Sequence, residues 1–263
     1  MTDDNLDFRF DQRVALQYDA LRGHPPEVSP VIASAVATVV GKGARVLEPG
    51  VGTGRIAKPL LGAGCEVVGI DLSASMLASL GRHAGSGLHL VQGDITRLPF
   101  SDHAFDAAIC VHVLHLVDSR TVLQQLQRLV RPGGAIILAR DWIDPGSFAG
   151  QLRNAFRQAV VDLSESVNFP TGARGFVQQL GELGAKAVND GEEMVAAEWQ
   201  TQLSPRQVLD GIRSRDDAES WVLPDDLLGR VMQRLDGLAA EHWPDLDAPQ
   251  PVTRRFVYSL FKV

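Results

Sequence analysis

The chain has 263 residues, 45% hydrophobic and 22% charged, and a net charge of −7. This balance suits one large globular α/β domain, or such a domain with an inserted lobe. It excludes a general electrostatic attraction to nucleic acid or to anionic membranes, and no apolar run reaches the length of a membrane span. The two cysteines, Cys65 and Cys110, form neither a metal-ligand spacing nor a disulfide framework and are expected as buried thiols. The start, Met1-Thr2-Asp3-Asp4-Asn5, carries no secretory pattern, and cytoplasmic residence is expected.

In chain order, residues 6–22 place Phe10, Val14, Tyr18 and Leu21 at helical spacing. His24-Pro25-Pro26-Glu27 breaks that helix, and Ser29-Pro30 predicts an N-cap followed by proline at the first helical position. The buried face of that helix is Val31, Ile32, Ala35, Val36, Val39 and Val40. Then comes Val46-Leu47-Glu48-Pro49-Gly50-Val51-Gly52-Thr53-Gly54-Arg55-Ile56, a buried strand, a glycine-rich turn and the start of a helix. Glycines at alternate positions allow a sharp turn and let a ligand lie against bare main chain. The dinucleotide fingerprint G-x-G-x-x-G would put its third glycine where Arg55 stands, so the match to a pyrophosphate site is imperfect.

Acids at the ends of the strands carry more information. Glu48 sits at the carboxyl end of the first strand, where it repels a pyrophosphate and suits an ammonium group. Asp71 follows Val67-Val68-Gly69-Ile70 and is placed to accept from ribose hydroxyls. Asp94 follows the strand Leu88–Gln92 and Gly93, where it can accept from an adenine amino group. With no lysine in the turn, these acids point to a cationic or zwitterionic adenosine compound without phosphates.

Further strands are expected at Phe105–Val111, a continuous apolar run suited to the centre of a parallel sheet, and at Ala135–Ala139 after Pro132-Gly133-Gly134. Between them, Asp118 or Ser119 caps a helix whose buried face is Val122, Leu123, Leu126, Leu129 and Val130. His112 and His115 stand just beyond the first of these strands, at the edge where ligands bind in open α/β sheets.

Glu48 to Gly54, Gly69-Ile70-Asp71-Leu72-Ser73, Gly93 to Phe100 and Leu129-Val130-Arg131-Pro132-Gly133-Gly134 resemble the successive motifs of class I S-adenosylmethionine-dependent methyltransferases, in the branch rich in small-molecule enzymes. The resemblance covers roughly residues 40–142. It implies a doubly wound, mostly parallel seven-stranded α/β sheet, the Rossmann-like methyltransferase fold, with a helical cap. It also implies S-adenosylmethionine as cofactor, held by Tyr18, Glu48, Gly50, Gly52, Thr53, Gly54, Asp71, Leu72, Met76, Asp94, Ile95 and His112. Tyr18, with Asp19 and Arg22, would sit on an N-terminal lid helix; Leu72 and Met76 would line the adenosine edge. His112 and His115, with Asp141, are the candidates for a catalytic base, and no metal is expected, the pair Asp141 and Asp144 being too weak a signal for one.

The implied organisation is a cofactor-binding core with its lid helix over residues 1–143, cap helices over 144–184, final strands at 185–203 and 253–263, and a helical cap insertion at 204–252. Trp142, Phe148, Phe156, Trp199 and Trp221 are available for an apolar substrate chamber. The function implied is in-line methyl transfer to an O, N or C atom of a small molecule, with neither a nucleic acid nor a membrane as partner. A nicotinamide-dependent oxidoreductase and a non-catalytic S-adenosylmethionine-binding protein are the alternatives; Glu48 and the glycine spacing argue against the first.

Overall fold

A computed structural model describes residues 23–81, 86–164, 173–216, 218–221 and 223–263. Its strands are β1 (Arg45–Pro49), β2 (Glu66–Asp71), β3 (Leu88–Gln92), β4 (Phe105–Val111), β5 (Val130–Ile143), β6 (Lys186–Ala187), β7 (Met194–Leu203) and β8 (Gln250–Lys262). Its helices are α1 (Val28–Val40), α2 (Ala57–Gly62), α3 (Ala74–Gly81), α4 (Ser119–Leu129), α5 (Phe148–Leu163), α6 (Ala173–Glu182), α7 (Pro205–Arg213), α8 (Ala218–Trp221) and α9 (Asp225–His242). The strands form one sheet in the order β3-β2-β1-β4-β5-β8-β6, with β7 also paired to β8. From β3 to β5 every pairing is parallel; β6 runs antiparallel to β8. The count is eight rather than seven because Lys186–Ala187 is separated from β7 by a short turn with left-handed Asn189 and Asp190.

The chain divides into two compact units, and the divisions fall inside β5, β7 and β8. Among the described residues, the larger unit spans 23–81, 86–140, 173–197 and 256–263. Successive strand residues point to opposite sheet faces, and both sets are buried here. Leu47, Val68, Ile70, Ala108, Cys110 and Ile136 pack with Val122, Leu123 and Leu126 of α4 and with Leu180 of α6. Val46, Val67, Ala107, Ile109 and Ile137, on the alternate positions, are buried as well. Each fully buried aliphatic side chain contributes about 1.5–3 kcal/mol of transfer free energy. The smaller unit, which among the described residues comprises 141–164, 198–216, 218–221 and 223–255, has its own apolar core from α5, α7 and α9, including Leu152, Phe156, Leu209, Val231 and Leu235.

Local chemistry sets the helix ends. The Asp118 carboxylate accepts from the Thr121 amide and hydroxyl at the start of α4. Ser147 caps α5 by accepting from Gly150 N–H at 3.1 Å. Ser204 and Gln207 form a reciprocal capping box at α7 with Pro205 at its start. The expected cap at Ser29 is not used. The turn after Pro25 is already helical at Glu27, and α1 begins at Val28, which puts Pro30 inside the first turn where its missing N–H costs nothing. The expected lid helix with Tyr18, Asp19 and Arg22 lies outside the described residues.

The pairing of β4 with β5 jumps from Phe105–Val130 to Ala107–Ala135, so Arg131–Gly134 bulges out. Gly133 donates to the Val263 carbonyl at 2.8 Å, tying this bulge to the last residue of the chain. A Cβ on Gly134 would stand 2.6 Å from the Asp106 carbonyl oxygen and 2.8 Å from that of Arg131. Backbone cannot yield there as a side chain can. Gly134→Ala is therefore expected to lower stability by about 1–3 kcal/mol. Gly237, exposed in the middle of α9 with nothing within 4 Å of the place a Cβ would take, is the contrast: Gly237→Ala is expected to raise stability by about 0.5–1 kcal/mol. Denaturant titration of the two variants checks both signs.

Candidate active site

The carboxyl ends of β1, β2 and β4 converge on the glycine turn. Gly50, Gly52 and Gly54 all have positive φ, at 71°, 54° and 79°, a region open mainly to glycine. Two of them are also constrained by contact. A Cβ on Gly50 would lie 2.5 Å from Val113, and one on Gly54 would lie 2.3 Å from Leu80. At Gly52 there is nothing within 4 Å, so this glycine leaves bare main chain beside open space. Thr53 is buried beneath it.

The turn is fastened to β2. Gly50 and Val51 both donate to the Ile70 carbonyl, at 2.7 and 3.1 Å. Gly69 leaves room for this: a Cβ there would meet Val51 at 2.7 Å. One residue beyond Ile70, the Asp71 carboxylate accepts from Gly52 N–H through one oxygen and from Ser73 N–H through the other, both at 2.9 Å. Ser73 in turn caps α3 through Met76 N–H at 3.2 Å. Asp71 is thus held by backbone amides on both oxygens, and its orientation is set before any ligand arrives.

Glu48 is only 3% exposed. Burial pushes its pKa up to about 8; Arg55 opposes that rise, Asp71 adds to it, and a hydrogen bond from the Ala57 amide opposes it. Its Oε2 is buried without a hydrogen-bond partner. A buried acceptor in that state carries a desolvation cost that a ligand donor relieves. Close to it in the sheet, the Cys110 thiol is pushed up by burial and by the Glu48 charge, which leaves it an inert core residue. Cys65 is likewise a buried free thiol.

The remaining residues divide by exposure. Leu72, at the end of β2, is 73% exposed, an apolar surface next to Asp71, whereas Met76 is 2% exposed and belongs to the packing of α3. Asp94 is exposed, and its Oδ1 accepts from both the amide and the hydroxyl of Thr96 at 2.8 Å, which holds its pKa below the usual carboxylate range. Ile95 behind it is buried. His112 follows β4 with φ +51°, an uncommon left-handed conformation for a side-chain-bearing residue. His115 lies in the short 3-10 turn Leu114–Leu116. Asp141 falls in the smaller unit.

Three features were not visible in the sequence as contacts around the site. Val113 and Leu80 fill the space that Gly50 and Gly54 leave, and they read only as apolar residues of their elements. Arg128 on α4 donates to the Leu98 and Phe100 carbonyls at 3.2 and 2.9 Å and pairs with Asp102, so it holds the loop that follows Asp94. The Arg55 guanidinium lies 3.0 Å from His24 Nε2. Of the aromatics offered for a substrate chamber, Phe148 and Phe156 are core residues of the smaller unit, Trp199 is buried, and Arg255 stacks over Trp142 at 4.6 Å.

Residues 47–138 match the family model described as a methyltransferase domain. Over this segment, about a third of the chain, the protein is similar to methyltransferase domains. A demethylmenaquinone methyltransferase of Paenarthrobacter aurescens is 36% identical over 98 residues, which are 37% of this chain and 38% of that one. A malonyl-[acyl-carrier protein] O-methyltransferase of Enterobacter lignolyticus is 39% identical over 94 residues, 35% of this chain and 37% of that one. The chain therefore matches less than half the length of these curated relatives. Among solved structures, the YcgJ protein of Bacillus subtilis superposes with a TM-score of 0.57 at 15% identity, over 89% of this chain and 98% of that one. Phosphoethanolamine N-methyltransferase 2 of Haemonchus contortus, crystallised with S-adenosyl-L-methionine, gives 0.55 at 16% identity, over 98% of this chain and 58% of that one. At such identities the likeness is one of fold, the Rossmann-like methyltransferase sheet. No described helix is long and apolar enough to cross a membrane, and the described residues contain no group of three or more His, Cys, Asp or Glu able to hold a metal.

The Glu48 environment has a direct consequence for stability. A pKa of about 8 in the folded chain against 4.5 for the free group means that the native state binds more protons than the unfolded state between those values. Stability of the ligand-free protein then falls as pH rises from about 5 to 8, by at most roughly 1.4 kcal/mol per pH unit from this group. Glu48→Gln, a neutral isostere, is expected to remove that slope. Denaturant titrations of both proteins across the same pH range measure it.

Proposed function

We propose that the chain binds S-adenosyl-L-methionine across the carboxyl ends of β1 to β4 and transfers its methyl group to an O, N or C nucleophile of a small molecule. The observation that carries this reading is Glu48: a buried carboxylate with an unpartnered oxygen beside a turn of bare glycine backbone. A pyrophosphate would be repelled there, and an ammonium group fits. In this reading the Glu48 carboxylate accepts from the ammonium of the ligand's amino acid end, and the backbone of Gly50, Gly52, Thr53 and Gly54 lines the path. Asp71, oriented by the Gly52 and Ser73 amides, uses its remaining lone pairs on the ribose hydroxyls. Asp94 takes the adenine amino group, with Leu72 forming the apolar edge and Met76 and Ile95 packed behind it.

The sulfonium supplies an activated methyl group when bound. The protein's part is to align a nucleophile behind that carbon and to keep water away. A base is required only for an acceptor that arrives protonated. His112, held in a strained conformation at the end of β4, and His115 one short turn later are the residues we assign to cofactor contact and proton acceptance at the imidazole nitrogens. A small-molecule acceptor in the cytoplasm is the rest of the reading; the two free thiols fit a reducing compartment. By their names, the relatives act on demethylmenaquinone and on malonyl-acyl carrier protein. The match to the family model ends at residue 138, so the acceptor is assigned here only by class.

Calorimetric titration with S-adenosylmethionine, its demethylated product S-adenosylhomocysteine, and NAD tests the reading. The first two are expected to bind and NAD is not. Asp71→Ala is expected to weaken both by about tenfold to a hundredfold, the loss of charge-assisted hydrogen bonds. Binding of NAD alone would overturn the proposal.

A second expectation concerns protons. The ammonium group pairs with ionised Glu48, whereas the ligand-free protein holds it largely protonated below its pKa of about 8. Affinity for S-adenosylhomocysteine should rise with pH between 6 and 7.5, by up to roughly tenfold per unit, with a proton released on binding. Repeating the titration in buffers of different ionisation enthalpy counts that proton. A pH-independent affinity with no release would exclude the ammonium contact at Glu48.

A further inference from the structure

We propose that Arg128 on α4 is a positioning residue for base recognition: its guanidinium clasps the loop after Asp94 and so aims the carboxylate that selects an amino-bearing purine. The inference rests on the adenosine reading above and adds a residue that acts on the ligand only through Asp94.

The loop between β3 and β4, residues 93–104, has neither helix nor strand, so its backbone carbonyls need donors from elsewhere. Arg128 supplies two of them. Its Nη2 donates to the Leu98 carbonyl at 3.2 Å and to Gln125 Oε1 at 2.8 Å. Its Nη1 donates to the Phe100 carbonyl at 2.9 Å and to Asp102 Oδ1 at 2.6 Å. The Arg128 carbonyl in turn accepts from His103 N–H at 3.0 Å. One residue thus holds the loop at Leu98, Phe100, Asp102 and His103. A planar fork of donors can span such a set, and a lysine ammonium cannot. The mount is rigid, because Val122, Leu123, Leu126 and Leu129 of α4 are fully buried.

Asp94 stands where this restraint matters. Its own turn is local: Thr96 donates to Oδ1 from both its amide and its hydroxyl, and Arg97 N–H donates to the Asp94 carbonyl at 3.0 Å. Before the turn, Gly93 N–H donates to the Asp71 carbonyl at 3.0 Å, which ties it to the end of β2. After the turn, Arg128 takes hold at Leu98. Without Arg128, the Gly93 bond and the buried side chains of Ile95 and Leu98 remain. Apolar contacts of that kind are non-directional and fix the depth of the turn without fixing its direction. Both Thr96 bonds fall on Oδ1, so Oδ2 is the acceptor for the base amino group, and its aim follows the turn. Hydrogen bonds weaken steeply when misaligned. A small rotation is therefore felt in base selectivity before it is felt in adenosine binding as a whole. The Asp102 side chain is 64% exposed, so that ion pair contributes little and the two carbonyl bonds carry the effect.

Calorimetry with two ligands tests this: S-adenosylhomocysteine and its analogue with hydrogen in place of the adenine amino group. The wild type is expected to prefer the first by about tenfold, as one hydrogen bond to a charged but exposed acceptor would give. Asp94→Ala should abolish the preference and sets the floor. Arg128→Met should bring the preference to within about threefold by weakening S-adenosylhomocysteine alone. Arg128→Lys, which keeps the charge and loses the fork, should fall between. A merely structural arginine would lower both affinities equally and leave their ratio at the wild-type value. That ratio in the Arg128 variants, beside a selective wild type, overturns the inference and leaves the adenosine reading standing. Should Arg128→Met fail to fold, Arg128→Lys decides by the same ratio. A wild type that binds both ligands equally removes Asp94 as the reader of the base, and this inference with it. A wild type that binds neither overturns the adenosine reading itself.

Discussion

The glycine turn is clamped where no side chain could fit, and the site depends on that clamp. Val113, Leu80 and Val51 press against Gly50, Gly54 and Gly69 at distances that a Cβ would violate. The main chain of the turn donates to β2 through Gly50 and Val51. Cores tolerate volume changes poorly because they are packed as densely as organic crystals. The turn is therefore as rigid as the sheet that carries it. Asp71 inherits this rigidity, because one of its two acceptor bonds comes from Gly52 within the same turn.

That rigidity has an electrostatic counterpart. Glu48 is buried in the same sheet that buries Cys110, and its neighbours do not offset the loss of hydration. Replacing a buried carboxylate that has one unpartnered oxygen by an apolar residue would ordinarily stabilise a fold. Its presence at a strand end, with Arg55 close enough to act on it and Asp71 opposing, marks a place where folding stability is given up for a charge distribution.

The parts of this arrangement that were legible in the sequence are those with a local cause. Continuous apolar runs located β4, alternate glycines located the turn, and Asp118 marked the start of α4 as a capping residue does. The acids Glu48, Asp71 and Asp94 could be ordered along strand ends because parallel strands put their carboxyl ends on one edge. What could not be read depended on partners distant in sequence. The bulge at Arg131–Gly134 is held by Val263, more than a hundred positions away, and Pro132-Gly133-Gly134 by itself looks like any turn. Arg55 looked like a defect in a glycine pattern because nothing near it in sequence announces His24. Phe148 and Phe156 were available to a substrate chamber by composition alone; their spacing on α5 turns them into the core of the smaller unit.

The separation of the two apolar cores bears on how such a chain can change its acceptor. The acids, the glycine turn and both histidines after β4 lie in the larger unit, as does the segment matched by the family model. The smaller unit is held by its own buried Leu, Val and Phe residues, while its ion pairs, such as Arg206 with Asp247 and Arg157 with Glu219, are half-exposed and contribute little. Substitutions that share no partners combine nearly additively. A turn built from rigid, interdependent contacts is a physical reason for the segment 47–138 to match a family model.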